Sequence, residues 1–289
     1  MNRKNLKSIL DDLYSRRSPT HLANDPLSYC HRYPDPADQE VVGLIAASFA
    51  YGNVKIILKS LASILAELGP TPRRAVERFE PRHALRRFAG FKHRFNDHRD
   101  LCALLLAVRT ILEEAGSIES FFRKGLDQSE DDIGPALSRF SAGILAFDYS
   151  PVFAGRIIPL DSYFPFFFPS PSGGSACKRG CMFLRWMVRP QDGIDLGLWQ
   201  SIPPAKLVVP VDAHILRIGR FLGFTSRRQG DWKTALQITF NLRKLDPIDP
   251  VKYDFSLCHL GISEGCGKKR AAACLTCDIA GICAGFVTQ

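Results

Sequence analysis

No stretch of this chain approaches the roughly eighteen consecutive apolar residues that a membrane-spanning helix needs, so no membrane partner is expected. Hardly any segment alternates apolar and polar residues with a period of two, which argues against a sheet protein. No internal repeat and no flexible linker stands out, so a repeat array is not expected. Residues 1–13 are charged throughout and lack the apolar core of a secretory segment. The nine cysteines are therefore expected to stay reduced, in a cytoplasmic setting, and disulfides are not expected.

What is present suits one large globular domain or two modest ones. The chain has 289 residues, 46% of them hydrophobic, and a mean hydropathy of −0.04. The formal charge is +9 and the pI is near 9.2, a balance that favours a polyanionic partner. The basic excess concentrates in residues 73–99, where nine Lys/Arg face three acids and Phe79, Phe88, Phe91 and Phe95 interleave with the charges. An amphipathic helical pair with a solvated face fits this stretch. So does a phosphate-contacting surface, with Arg86 and Arg87 as candidate contacts.

Apolar spacing predicts helices over 2–18, 39–50, 54–68, 101–115, 117–124, 133–147 and 179–188, and a further one starting at Asp212. Asp38 is the expected cap of the second, and Gly69-Pro70 the end of the third. The expected fold class is all-α. A Phe164-Pro165-Phe166-Phe167-Phe168 cluster reads first as core and second as the lining of a pocket.

Three constellations carry chemistry. Cys266, Cys274, Cys277 and Cys283 form a C-x7-C-x2-C-x5-C run. Four thiolates this close can hold zinc or an iron–sulfur cluster, or form two disulfides. Zinc sites built on four cysteines usually show two C-x2-C pairs, and here there is one, so the spacing favours [4Fe–4S] over zinc. Upstream, a turn at Gly173, Gly174 and Ser175 leads through Cys177 and Lys178 into an apolar helix. Such a turn at a helix start suits a phosphate, and Lys178 is a candidate nucleophile. The third constellation is V-D-A-H-I-L-R at 211–217. An ordinary N-cap is the commonest role for Asp212. His214 is more often structural than catalytic at such a place, and Arg217 is a surface cation or a phosphate contact.

The order of these features resembles the helix-hairpin-helix DNA glycosylase superfamily, in its endonuclease III and adenine-glycosylase group. The chain most resembles a bacterial branch of hypothetical proteins within it, through its SACKR, FLRWMVR and DLGLW stretches. The resemblance implies two helical lobes and a cytoplasmic, bacterial, monomeric protein bound to double-stranded DNA. It implies a lysine that attacks the sugar C1′ of a flipped nucleotide, an aspartate that activates it, and a [4Fe–4S] cluster on four cysteines. Asp212 and the four cysteines match that pattern position by position, and Lys178 is the candidate lysine. Asp254 resembles the family's segment leading into the cluster.

Departures are also evident. The first cysteine gap is seven rather than six, and the L-P-G-x-G hairpin is reduced to Gly-Gly-Ser-Ala-Cys-Lys. Lys178 precedes Asp212 by 34 residues rather than about eighteen, which leaves Lys206 as a rival amine. Tyr51 and Asn53 fall where the family keeps the residue that fills the hole left by a flipped base. The expected lobes are residues 39–206, and 1–38 with 207–289. The expected function is removal of a damaged base from DNA, with or without strand cleavage. The alternatives are a non-catalytic nucleic-acid-binding protein that retains the fold, and a zinc-stabilised helical protein with another partner.

Overall fold

The computed structural model describes residues 3–16, 19–155, 157–263, 266 and 272–283. Among these residues are thirteen α-helices and one two-stranded hairpin. In chain order they are α1 (Arg3–Ser15), α2 (Pro36–Phe49), α3 (Val54–Leu68), α4 (Pro72–Glu77), α5 (Pro81–Arg87), β1 (Lys92–His93), β2 (Asn96–Asp97), α6 (His98–Ala115), α7 (Ile118–Arg123), α8 (Gly134–Leu145), α9 (Ser150–Phe153), α10 (Lys178–Val188), α11 (Ala213–Phe221), α12 (Trp232–Arg243) and α13 (Asp254–Ser263). The chain is mostly helical, as its periodicity predicts. No helix among the described residues is long and apolar enough to cross a membrane.

The local signals explain most boundaries. Asn53 caps α3 by accepting from Lys55 N, and Gly69 ends it at φ +73, a conformation that suits glycine. Asp97 and Asp100 form a capping box at the start of α6. The expected cap at Asp38 is corrected. Asp35 caps α2 by accepting from Ala37 N at 2.9 Å, because Pro36 has a fixed φ and no N–H and so favours the first helical position. Asp38 is instead buried in the first turn, where it accepts from Arg73 N at 2.7 Å.

The basic stretch 73–99 is also corrected. It is not a helical pair alone but α4, α5 and then the β1–β2 hairpin. His93 and Asn96 are fully buried in that hairpin, which a hydrophobicity pattern does not reveal.

At the centre lies α2, which packs against residues 26–32, α3, α4 and α10. Val41, Val42, Ile45, Ala46 and Phe49 are inaccessible to solvent, as expected of a helix apolar on all sides. Its second acid, Glu40, is also buried, and burial raises its pKa. Its carboxylate accepts from Ile118 N, Glu119 N and Trp199 Nε1 at 2.8–3.0 Å, so the charge is not left unpaired.

The segment between α10 and α11 folds back on α10. Leu196 N donates to Trp186 O at 2.8 Å, and Trp199 N donates to Met187 O at 2.7 Å. Arg185 pairs with Asp195 and Asp254, and Arg189 with Asp192, Asp195 and Asp249, all in or near the interior. Leu207, Val208 and Val209 then run buried into α11, which packs against α13. This return brings the start of α11 beside the start of α10.

Candidate active site at the α10–α11 junction

The approach to α10 is a tight turn. Gly173 N and Gly174 N donate to Ser170 O and Pro171 O at 3.1 and 2.8 Å, and Gly174 turns at φ +82. Gly174 O accepts from Trp232 N at 3.0 Å, and Ser175 bridges to Asp231, so the turn is fastened to the start of α12. The Ser175 hydroxyl accepts from Cys177 N at 3.2 Å. The two glycine amides that the sequence offers to a phosphate are thus engaged within the turn itself. Cys177, at the N-cap of α10, sits at φ +47, a region that non-glycine residues seldom occupy, and gives the helix no side-chain cap. Burial pushes its thiol up to about 11.

Lys178 is the first residue of α10, and its amine lies 3.7 Å from Asp212 Oδ2. The two oxygens of Asp212 have separate duties. Oδ1 accepts from His214 N and Ile215 N, both at 2.8 Å, and so caps α11. Oδ2 faces Lys178 and the Cys258 thiol, which donates to it at 3.6 Å. The carboxylate is largely covered, at 16% exposure, and the lysine is 35% exposed, so the pair lies partly open to solvent rather than in the core. Lys206, the rival amine, is turned elsewhere, and its Nζ donates to Gln128 O at 2.6 Å.

Two residues near this pair escape the sequence reading. Cys258 lies one helical turn from Asp254 on α13. Burial, reinforced by the Asp212 and Asp254 charges, holds its pKa well above the usual thiol range, so it serves as a donor. Asp254 is itself buried and is pushed up to about 6. Burial is the main cause; Arg185 opposes it and the Asp212 charge adds to it. Arg179, next to Lys178, is the second. Its guanidinium is buried against the Phe166 ring at 4.0 Å and the Tyr51 ring at 5.1 Å, with Ser48 O at 3.3 Å. Burial pushes its pKa down to about 10. The i, i+4 spacing of Asp254 and Cys258 is a signal that could have found the first. Nothing in the sequence marks the second.

The remaining candidates are placed as follows. His214 packs against Gly261 of α13, where a Cβ would stand 2.7 Å from the ring. Arg217 contacts His214 Nδ1 at 3.0 Å and donates to Cys266 O, tying α11 to the cysteine segment. Asn53 is occupied as the cap of α3, and the Tyr51 hydroxyl lies against His93 O and Asn96 Oδ1. Arg86 and Arg87 are exposed on α5, which packs against α6 and α9, and Arg87 pairs with Glu67. Phe164, Phe167 and Phe168 are buried in the core, and Phe166 is exposed above Arg179.

Cys266, Cys274, Cys277 and Cys283 are half-buried. The short turns Ala272–Thr276 and Ala280–Ile282 pack against each other. Among the described residues no group of three or more His, Cys, Asp or Glu is gathered as the ligands of a metal ion. Cys266, Cys277 and Cys283 pack against the apolar core, and as a donor set four thiols suit a soft, thiophilic centre.

Over residues 25–263 the chain matches the family described as "Protein of unknown function (DUF2400)". No curated protein and no solved structure matches it.

Proposed function

For a chain that belongs to the DUF2400 family, whose description assigns no activity, we propose DNA glycosylase chemistry on a flipped nucleotide. The observation that carries this reading is the Lys178–Asp212 pair at 3.7 Å. Lys178 loses a proton to Asp212 Oδ2 and attacks the sugar C1′. The N–C1′ bond forms, the bond to the base breaks, and the electron pair leaves with the base. Because a stacked base hides its glycosidic bond, the nucleotide must leave the duplex first. The chain's net charge of +9 supports a polyanionic partner.

We propose also that Cys266, Cys274, Cys277 and Cys283 hold a [4Fe–4S] cluster. When bound, it would cross-link the C-terminal segment and so stiffen the support of α11. The support for it is the donor set, with its single C-x2-C pair.

The test is incubation with duplexes carrying a panel of damaged bases, in the presence of borohydride. Opening of the sugar C1′–O4′ bond, with the amine proton passing to O4′, gives a Schiff base at Lys178, which borohydride reduces to a covalent protein–DNA species that Lys178→Gln does not form. If Lys178→Gln still traps and Lys206→Gln does not, the lysine assignment is wrong. If wild type processes no lesion yet binds DNA, the protein is a binder that retains the fold.

A further inference from the structure

The β1–β2 hairpin displays two side chains in a way that folding alone does not favour. Lys92 pairs with Asp97 and His93 with Asn96, which leaves Arg94 and Phe95 as a two-residue loop. Loops of this length match the strand twist when the first residue has a positive φ, the reason glycine is usual there. Here Arg94 takes that place at φ +54. An L side chain in this region is strained, and such strain persists only where the surroundings impose it.

The surroundings are a set of polar clamps. His93 Nδ1 lies 2.9 Å from Ser60 Oγ, and Nε2 lies 3.1 Å from Tyr51 O. Asn96 donates to one oxygen of Asp100 at 3.0 Å. Ser162 donates to the other at 2.7 Å, so the 161–163 loop is anchored to the same carboxylate as the hairpin.

What these clamps hold in place is a pair of open rings. Phe95 and Tyr163 stack with centroids 5.2 Å apart and planes 22° apart, yet remain 53% and 46% exposed. The Arg94 guanidinium lies 5.4 Å from the Phe95 centroid. Its stem crosses Gly52, where a Cβ would stand 2.7 Å from Arg94 Cδ. Lys92 adds a second exposed cation, and the nearby Asp161 charge is met by Arg99 at 3.7 Å.

We propose that Phe95 and Tyr163 form a stacking platform for an unpaired nucleobase, with Arg94 and Lys92 taking the flanking phosphates. Exposed π-faces accept any base, and neighbouring cations complement the strand. The proposal rests on the reading of the chain as DNA-binding, but it uses none of the residues assigned to chemistry. Tyr51, by contrast, lies beneath this hairpin with its hydroxyl engaged, so the platform is the part that stands outward.

The test uses the full chain and two duplexes, one fully paired and one carrying a single bulged 2-aminopurine. Wild type should bind the bulged duplex more tightly and quench its fluorescence. Phe95→Ala should weaken that binding by roughly 5- to 150-fold, the range that loss of one base–aromatic stack implies, and abolish the quenching. Tyr163→Leu, which keeps apolar contact but removes the π-face, should do the same. Arg94→Gly should weaken binding without lowering Tm, since glycine relieves the positive φ. If wild type, Phe95→Ala and Tyr163→Leu bind the bulged duplex equally, the platform is wrong while the DNA reading stands. If wild type binds neither duplex but binds anionic vesicles through Phe95, both are wrong.

Discussion

Asp212→Asn separates the two duties of one side chain. The amide keeps an Oδ1 that can accept from His214 N and Ile215 N, and asparagine caps helices about as well as aspartate. What is removed is the charge on the oxygen facing Lys178. That ion pair is 3.7 Å long and its lysine is 35% exposed, so its loss costs no more than about 1 kcal/mol. For a chain of 289 residues that shifts Tm by no more than about 2 °C. Asp212→Ala removes the cap as well, a further cost of about 1 kcal/mol. Melting followed by circular dichroism should therefore give small, ordered steps, wild type above Asn above Ala. Single-turnover base release should behave differently. Loss of a positioned proton acceptor typically lowers the rate by about 10²–10⁴-fold, and both variants lack it, so both should be equally inactive. If Asp212→Asn releases base at the wild-type rate, the carboxylate is only a cap. If activity instead falls in step with stability, the defect is one of folding, and the mechanism loses its proton acceptor.

Two other outcomes follow from the site. Anaerobically purified protein should carry about four irons per chain and absorb broadly near 400 nm, as roughly expected of a four-thiolate cluster, and Cys274→Ser or Cys277→Ser should lose both. A colourless protein with stoichiometric zinc would overturn the cluster. Asp254 is held up to about 6 by burial, so the folded chain keeps this proton to higher pH than the unfolded chain. Its contribution to stability is therefore greatest below about pH 4 and declines as pH rises through about 6. Asp254→Asn, which mimics the neutral carboxyl, should flatten Tm between those values, and an unchanged slope there would show that the group does not titrate in this way.

The helices were legible where a start signal and a stop signal bracket an apolar period. The spacing over 54–68 matches α3 from end to end, because Asn53 and Gly69 mark its limits. Legibility failed where two signals compete. Asp38 is an aspartate in front of an apolar run, but Pro36 moves the start upstream to Asp35, and Asp38 is left to meet Arg73 N. The hairpin failed for a different reason. Two-residue strands cannot display a period of two, and the residues they bury are His93 and Asn96, which satisfy their polar atoms inside rather than contributing apolar pattern.

The 33 residues between Lys178 and Asp212 are the hardest part of the site to read from a sequence, and they show why spacing alone is weak evidence against a pair. What matters is whether the intervening segment returns to its origin. This one does, because Arg185 in α10 and Arg189 just after it are buried and need carboxylates, and Asp192 and Asp195 in the segment supply them. A buried cation without a partner is strongly destabilising, so the ion pairs fix the path of the segment whether or not they add net stability. Trp199 completes the return by donating to Glu40 from within the core. Arg185, Arg189, Asp192 and Asp195 carry no apolar pattern in the sequence that would mark them as interior. Buried together, they set the approach of α11 to α10, and with it the distance from Asp212 to Lys178.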